Sequence, residues 1–193
     1  SVSGEIHASD PNLDFDISGS GALAGAASRL DISADIRTLN MSPFKLPHRF
    51  SSLDVSGGID VSLTGNSLDN ANGYIDVNDL HFDDGTHAPV SISHLRVESQ
   101  RQELPYTLSV DSEIIKAGVQ GDFAPSGLPD SFKSLAARFM PDLVMPYIHN
   151  SGHSDRPQSF TFSILLPKDS PLADRVKLPV SLLEDLELSG SYD

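Results

Sequence analysis

Leu53-Asp54-Val55-Ser56-Gly57-Gly58-Ile59-Asp60-Val61-Ser62-Leu63-Thr64 alternates strictly: Leu53, Val55, Gly57, Ile59, Val61 and Leu63 share one parity, and aspartate, serine, glycine and threonine share the other. Successive side chains of a strand point to opposite faces, so this stretch has one oily side and one small, polar side. That is the pattern of a half-buried β-strand.

The same reading extends outward in both directions. Leu13, Phe15, Ile17, Gly19, Gly21 and Leu23 alternate with polar residues, as do Leu30, Ile32, Ala34 and Ile36. Downstream come Ile75 and Val77, then Leu80 and Phe82 after a change of phase, and Val90 and Ile92 shift likewise to Leu95 and Val97. A shift of this kind is what a β-bulge produces. Further sets are Tyr106, Leu108 and Val110, then Val119, Gly121 and Phe123, then Phe160, Phe162, Ile164 and Leu166, and last Leu186, Leu188 and Gly190. Turn signals at Thr64-Gly65-Asn66-Ser67, Asn70-Ala71-Asn72-Gly73 and Asp83-Asp84-Gly85 separate the runs, a spacing that suits an antiparallel meander. A hydrophobe-acid-hydrophobe-Ser-Gly unit recurs loosely at Leu13, Leu53 and Leu186.

One segment departs from period two. Leu128, Phe132, Leu135 and Phe139 form a helical stripe, with Ser126 or Asp130 as the expected cap and Pro141 as its stop. A second, shorter helix is expected over 170–176, with Pro171 at its first position, and the polar run 150–157 reads as a loop. The expected organisation is therefore one β-rich unit over 1–193, interrupted by a helix-and-loop insert at about 126–157.

Composition narrows the functional classes. Asp and Glu number 27 against 13 Lys and Arg, a formal charge of −14, which disfavours nucleic acid as a partner and docking on an anionic membrane. There is no cysteine, so disulfides and thiolate metal sites are excluded. No apolar run is long enough for a membrane-spanning helix. The opening Ser1-Val2-Ser3-Gly4-Glu5-Ile6 is already in strand phase and reads as part of a longer parent protein.

Reactive constellations are not evident. Seven histidines are scattered, and only His149 and His153, with Asp155 nearby, stand at ligand spacing; they fall in the expected loop and read as surface histidines, so no metal is expected. Ser18-Gly19-Ser20-Gly21 lies within a strand pattern and is not a nucleophile elbow. Asp14, Asp16, Asp54 and Asp60 fall on the polar parity, where a solvated face explains them more simply than acid–base or calcium chemistry. No enzyme and no cofactor is expected.

One-sided strands must bury the oily side. A sandwich and a closed barrel are the common solutions. An open sheet curled into a trough, with an apolar interior that holds lipid tails, is the third.

The succession Gly73-Tyr74-Ile75-Asp76-Val77-Asn78-Asp79-Leu80-His81-Phe82, then Val90 to Val97, then Leu108 to Phe123 closing on Gly121-Asp122-Phe123, resembles the repeat region of the TamB branch of the AsmA-like proteins. The helical insert at 126–147 and the run from Phe160 to Tyr192 look most like the forms found in Bacteroidetes-type bacteria. The resemblance implies an open trough (a "β-taco") in a periplasmic protein whose parent is anchored in the inner membrane. It implies passive phospholipid transport toward the outer membrane and a role in outer-membrane biogenesis. It also implies a BamA-like or TamA-like outer-membrane barrel as partner of the parent. Acyl chains would then lie against Leu53, Val55, Ile59, Val61, Leu63, Ile75, Val77, Leu108, Val110, Phe160, Phe162 and Ile164. The competing reading is a structural or adhesive β module that binds protein or glycan.

Overall fold

In the computed structural model, residues 1–44, 52–86, 89–139, 158–170 and 184–193 are described. Among them the chain forms ten strands in one antiparallel sheet, ordered as in the sequence: β1 (Val2–Asp10), β2 (Leu13–Ala22), β3 (Arg29–Asn40), β4 (Asp54–Thr64), β5 (Asn72–Asp83), β6 (Val90–Gln100), β7 (Tyr106–Ser112), β8 (Lys116–Asp122), β9 (Ser159–Leu166) and β10 (Leu186–Tyr192). The sheet does not close on itself, so the expected meander holds, and the sandwich and the barrel are set aside.

The connections follow from turn chemistry. Between β4 and β5 the Asn70 side chain accepts from the Asn66 and Ser67 N–H groups and holds a 3-10 turn over Leu68–Asn70. Asp83 accepts from the Gly85 N–H, an Asx turn at the end of β5. Leu23, assigned to the β2 pattern by its parity, stands beyond the strand's end and is 99% exposed.

Helix α1 (Leu128–Phe139) forms where the 3,4-spaced stripe predicts. Its start differs from expectation. A 3-10 turn over Pro125–Gly127 leads into it, and Ser126 lies inside that turn with its N–H and hydroxyl both donated to Asp69, at 2.9 and 2.8 Å. Asp130 sits within the first helical turn, where a carboxylate favours the dipole, rather than at the cap. Ser126 is thus spent on tying the helix to the β4–β5 connection. Pro141, most of 170–176 and the 150–157 loop lie outside the described residues.

The packed core is small and lies at one end. Phe123, Leu128 and Phe160 are buried, with Tyr106, Leu108, Val119, Phe132, Phe162 and Tyr192 against them. The rings interlock: Phe160 stacks on Tyr192 at 5.2 Å between centroids, and Phe132 meets Phe162 edge-on at 5.1 Å. Phe162 lies over Gly190, where any side chain would meet the ring at about 3 Å. Arg101 closes this end from the side, with its guanidinium 4.1 Å from the Tyr106 ring centre and donating to the carbonyls of Phe123 and Asp69.

Candidate functional site

Strand register turns the one-dimensional alternation into rows across the sheet, because directly paired residues share a face. One row runs Gly4, Gly19, Ile32, Val61, Ile75, Val97, Val110, Ala117, Ile164, Leu188. It crosses all ten strands from one edge to the other without a polar side chain. At 4.7–4.9 Å per strand it is roughly 43 Å long. The row on one side runs Val2, Gly21, Leu30, Leu63, Gly73, Ser99, Leu108, Val119, Phe162, Gly190, and the row on the other runs Ile6, Ile17, Ala34, Ile59, Val77, Leu95.

The residues expected to line a groove fall into these rows. Val61, Ile75, Val110 and Ile164 share the central one, Leu63, Leu108 and Phe162 the second, and Ile59 and Val77 the third. Val55 lies in a further row with Leu13, Leu39, Phe82 and Val90. Leu53 precedes β4, and its carbonyl accepts from the Met41 N–H at 2.9 Å. Each of these expected lining residues is half-buried, whereas Phe82 beside Val55 is exposed. Phe160 stands apart: at 3% exposure it belongs to the dry core under α1 and is no part of an open surface. The rows also hold Ile17, Ile32, Leu95 and Val97, which the expected lining does not include although the same alternation marks them.

Coverage of this face is uneven. Helix α1 packs on the end defined by Phe160, Phe162 and Leu108. Toward the β1 edge the face is open, with Val2 79%, Ile6 62% and Leu30 44% exposed, and Leu188 at the opposite edge is 43% exposed. Val2, Ile6, Ile17, Leu30 and Ile32 surround a shallow depression of about 450 Å³.

The opposite face is polar and internally paired. Arg37 donates to Asp14, to Asp16 at 2.9 Å and to Asp35 at 2.9 Å, and His7 Nδ1 lies 2.5 Å from Asp16. The Arg37 bonds hold the Asp14 carboxyl below its usual range, and His7 and then Arg37 do the same for Asp16. Arg29 pairs with Asp31, whose carboxyl is lowered by that bond and by one from Ser62. Arg96 lies over the Tyr74 ring at 4.6 Å and pairs with Asp76 and Glu98. A larger depression, of about 760 Å³, sits on this side between Ser3, Ser18, Ser33, Asp60 and Tyr74. A twisted sheet is hollow along a different diagonal on each face, which allows both depressions. Among the described residues no group of three or more His, Asp or Glu is placed to hold a metal ion. His48, His87, His149 and His153 lie outside the described residues.

Chemically, the two faces differ in what they offer. The polar face carries several ion pairs, centred on Arg29, Arg37 and Arg96, together with an excess of carboxylates. The apolar face offers area and no direction, a surface for methylene chains or for another apolar surface. No helix among the described residues is long and apolar enough to cross a membrane. No protein-family model, curated protein or solved structure matches the chain.

Proposed function

We propose that the apolar face carries lipid acyl chains, and that the chain is a non-enzymatic segment of an AsmA/TamB-like protein that supports phospholipid transport between the two membranes and outer-membrane biogenesis. The observation that carries this reading is the central row, ten positions from edge to edge without a polar side chain on an open sheet. An acyl chain occupies about half of a hydrocarbon core of about 30 Å. The row is roughly 43 Å long by strand spacing, so it exceeds one tail and suits passage along the sheet rather than a single seat. Each methylene taken from water contributes about 0.8 kcal/mol, without any directional contact. The localisation that goes with this reading is the periplasm, with a parent held in the inner membrane and an outer-membrane barrel of the BamA type as its partner.

The test is lipid capture. Protein purified without detergent is analysed by mass spectrometry for bound phospholipid, and then exposed to a phospholipid with a photoreactive group in its acyl chain. Labelling is expected at Ile32, Val61, Ile75 and Val97 and not at Ser33, Asp60, Asp76 and Arg96 of the other face. Protein free of lipid, or labels spread equally over both faces, would sink the proposal.

A further inference from the structure

The sheet is creased along one line. On β3 the extra residue falls between Ile36 and Leu39, because Phe15 pairs with Ile36 while Asp14 pairs with Thr38. On β5 Asp79 and Leu80 oppose the single Gly57 of β4, and Asp79 has φ +50°. β6 follows β5 without a register shift and lacks only the pair of Ser93 with Asp79. The irregularities of β3, β5 and β6 thus lie side by side, with Gly57 (φ +141°) between them. Bulges bend a strand and break the local ladder. The phase shift lets the row of Leu13, Leu39, Val55, Phe82 and Val90 keep to the apolar side.

At the β6 end the line meets a side chain instead of a strand. β7 pairs with β6 only as far as Ser112 opposite Leu95. The next residue, Glu113, turns its carboxylate onto the N–H groups left over: one oxygen accepts from Ser93, and the other from His94 and from the Ser112 hydroxyl, each at 3.2 Å. Glu113 is itself fixed by its neighbours. The Ser112 N–H donates to Ile115 across the turn, and the buried Ser170 hydroxyl donates to the Ile114 carbonyl at 2.6 Å.

We propose that the crease is a flexion line of the sheet and that Glu113 is its latch. Above and below it the ladders are continuous, while along it the registers of β3 with β2 and β4 and of β4 with β5 shift, and β5 and β6 lack one pair. With the carboxylate seated, the two parts keep one angle. With it removed, the end carrying Val55, Phe82 and Val90 swings relative to the central row and changes the width of the apolar face.

The chain has no cysteine, so a spin-label pair introduced by Ser91→Cys below the crease and Ser109→Cys above it reports that angle in the full chain. The parent is expected to give one narrow distance distribution. Glu113→Ala is expected to add a displaced population and to raise amide exchange at Ser93 and His94 about tenfold or more, the scale of losing a bond to a charged acceptor. Glu113→Gln, which keeps one acceptor oxygen, falls between them. Val119→Ala loosens the packed end without touching the crease and leaves the distribution unchanged. The proposal is overturned if the Glu113→Ala distribution superimposes on the parent's, whatever the exchange rates do, or if Val119→Ala produces the same displaced population. Should the alanine variant fail to fold, the glutamine variant decides by the same two comparisons.

Discussion

A methyl group at position 57 probes the crease at its tightest point. Its carbon would stand 2.9 Å from the Leu80 Cα and 3.1 Å from the Asn78 carbonyl, on a backbone with φ +141°. Gly57→Ala is therefore expected to destabilise by about 1–3 kcal/mol, the range for a residue forced into a sparsely populated conformation. Gly4, at the open end of the central row, has nothing within 4 Å of the same position and no unusual φ. There the alanine is expected to stabilise by about 0.4–1 kcal/mol, by narrowing the unfolded ensemble. Urea midpoints of the two variants separate these expectations. Glu113 supplies a second residue-scale test. Burial pushes its carboxyl upward, but the backbone N–H groups of Ser93, Glu113 and His94 outweigh this and bring it from 4.5 to about 2. A carboxyl with a lowered folded value contributes stability that is complete above its unfolded value and is lost as pH falls through the folded one. Glu113→Gln is therefore expected to flatten part of the acid-side decline between about pH 4.5 and 2, read as urea midpoint against pH. A parent and variant with parallel profiles in that window would contradict it.

Among the elements, α1 divides the apolar residues of the sheet into two kinds. Phe160, at 3% exposure between Phe123, Phe132 and Tyr192, is a core residue, and its truncation to alanine is expected to cost about 3–5 kcal/mol. Val61 is half-buried in the open part of the same face, so Val61→Ala is expected to cost less than about 1.5 kcal/mol, one or two methylene groups' worth of burial. Equal losses in denaturant titrations would mean that the open part is packed as tightly as the covered end. This division also marks how far the sequence could be read. Parity places Phe160, Val61 and Ile164 on one side of the sheet, because period two is a property of the strand alone. The phase steps at Val77 to Leu80 and Ile92 to Leu95 announced two of the irregularities. The step from Ile36 to Leu39 carries the same signal for β3. The stripe Leu128, Phe132, Leu135 and Phe139 foretold the helix, but which strands it would cover depends on where the chain returns after β8. Long-range pairing of that kind leaves no local trace, and so Phe160 was grouped with the open positions. Ser126 likewise has the composition of a cap, and only the fold brings Asp69 within reach of it.

At the scale of the whole molecule, the charge and the oil are sorted onto opposite sides of one sheet, which among the described residues ends at β1 and at β10. Part of the negative charge is paired on the polar side, where Arg29, Arg37 and Arg96 hold Asp31, Asp14 and Asp76, and the acidic excess is left to water. The apolar side is left unbroken in the direction perpendicular to the strands. A single carboxylate in the middle of the central row therefore tests lipid carriage for the molecule as a whole. Val61 lies between Ile32 and Ile75 on neighbouring strands and is half-buried, so the carboxylate of Val61→Asp reaches water without entering a sealed core. The fold is expected to persist, checked by an unchanged β-type circular dichroism spectrum. Bound phospholipid is expected to fall roughly tenfold, because displacing even two methylenes at about 0.8 kcal/mol each removes about 1.6 kcal/mol of binding. Asp60→Asn, one residue away on the polar side, should leave the lipid content unchanged. If Val61→Asp retains its spectrum and carries as much phospholipid as the parent, acyl chains do not run along this row. If both substitutions lower lipid content alike, although one adds a negative charge and the other removes one, the loss reflects a general disturbance of the sheet and not a path along one of its faces.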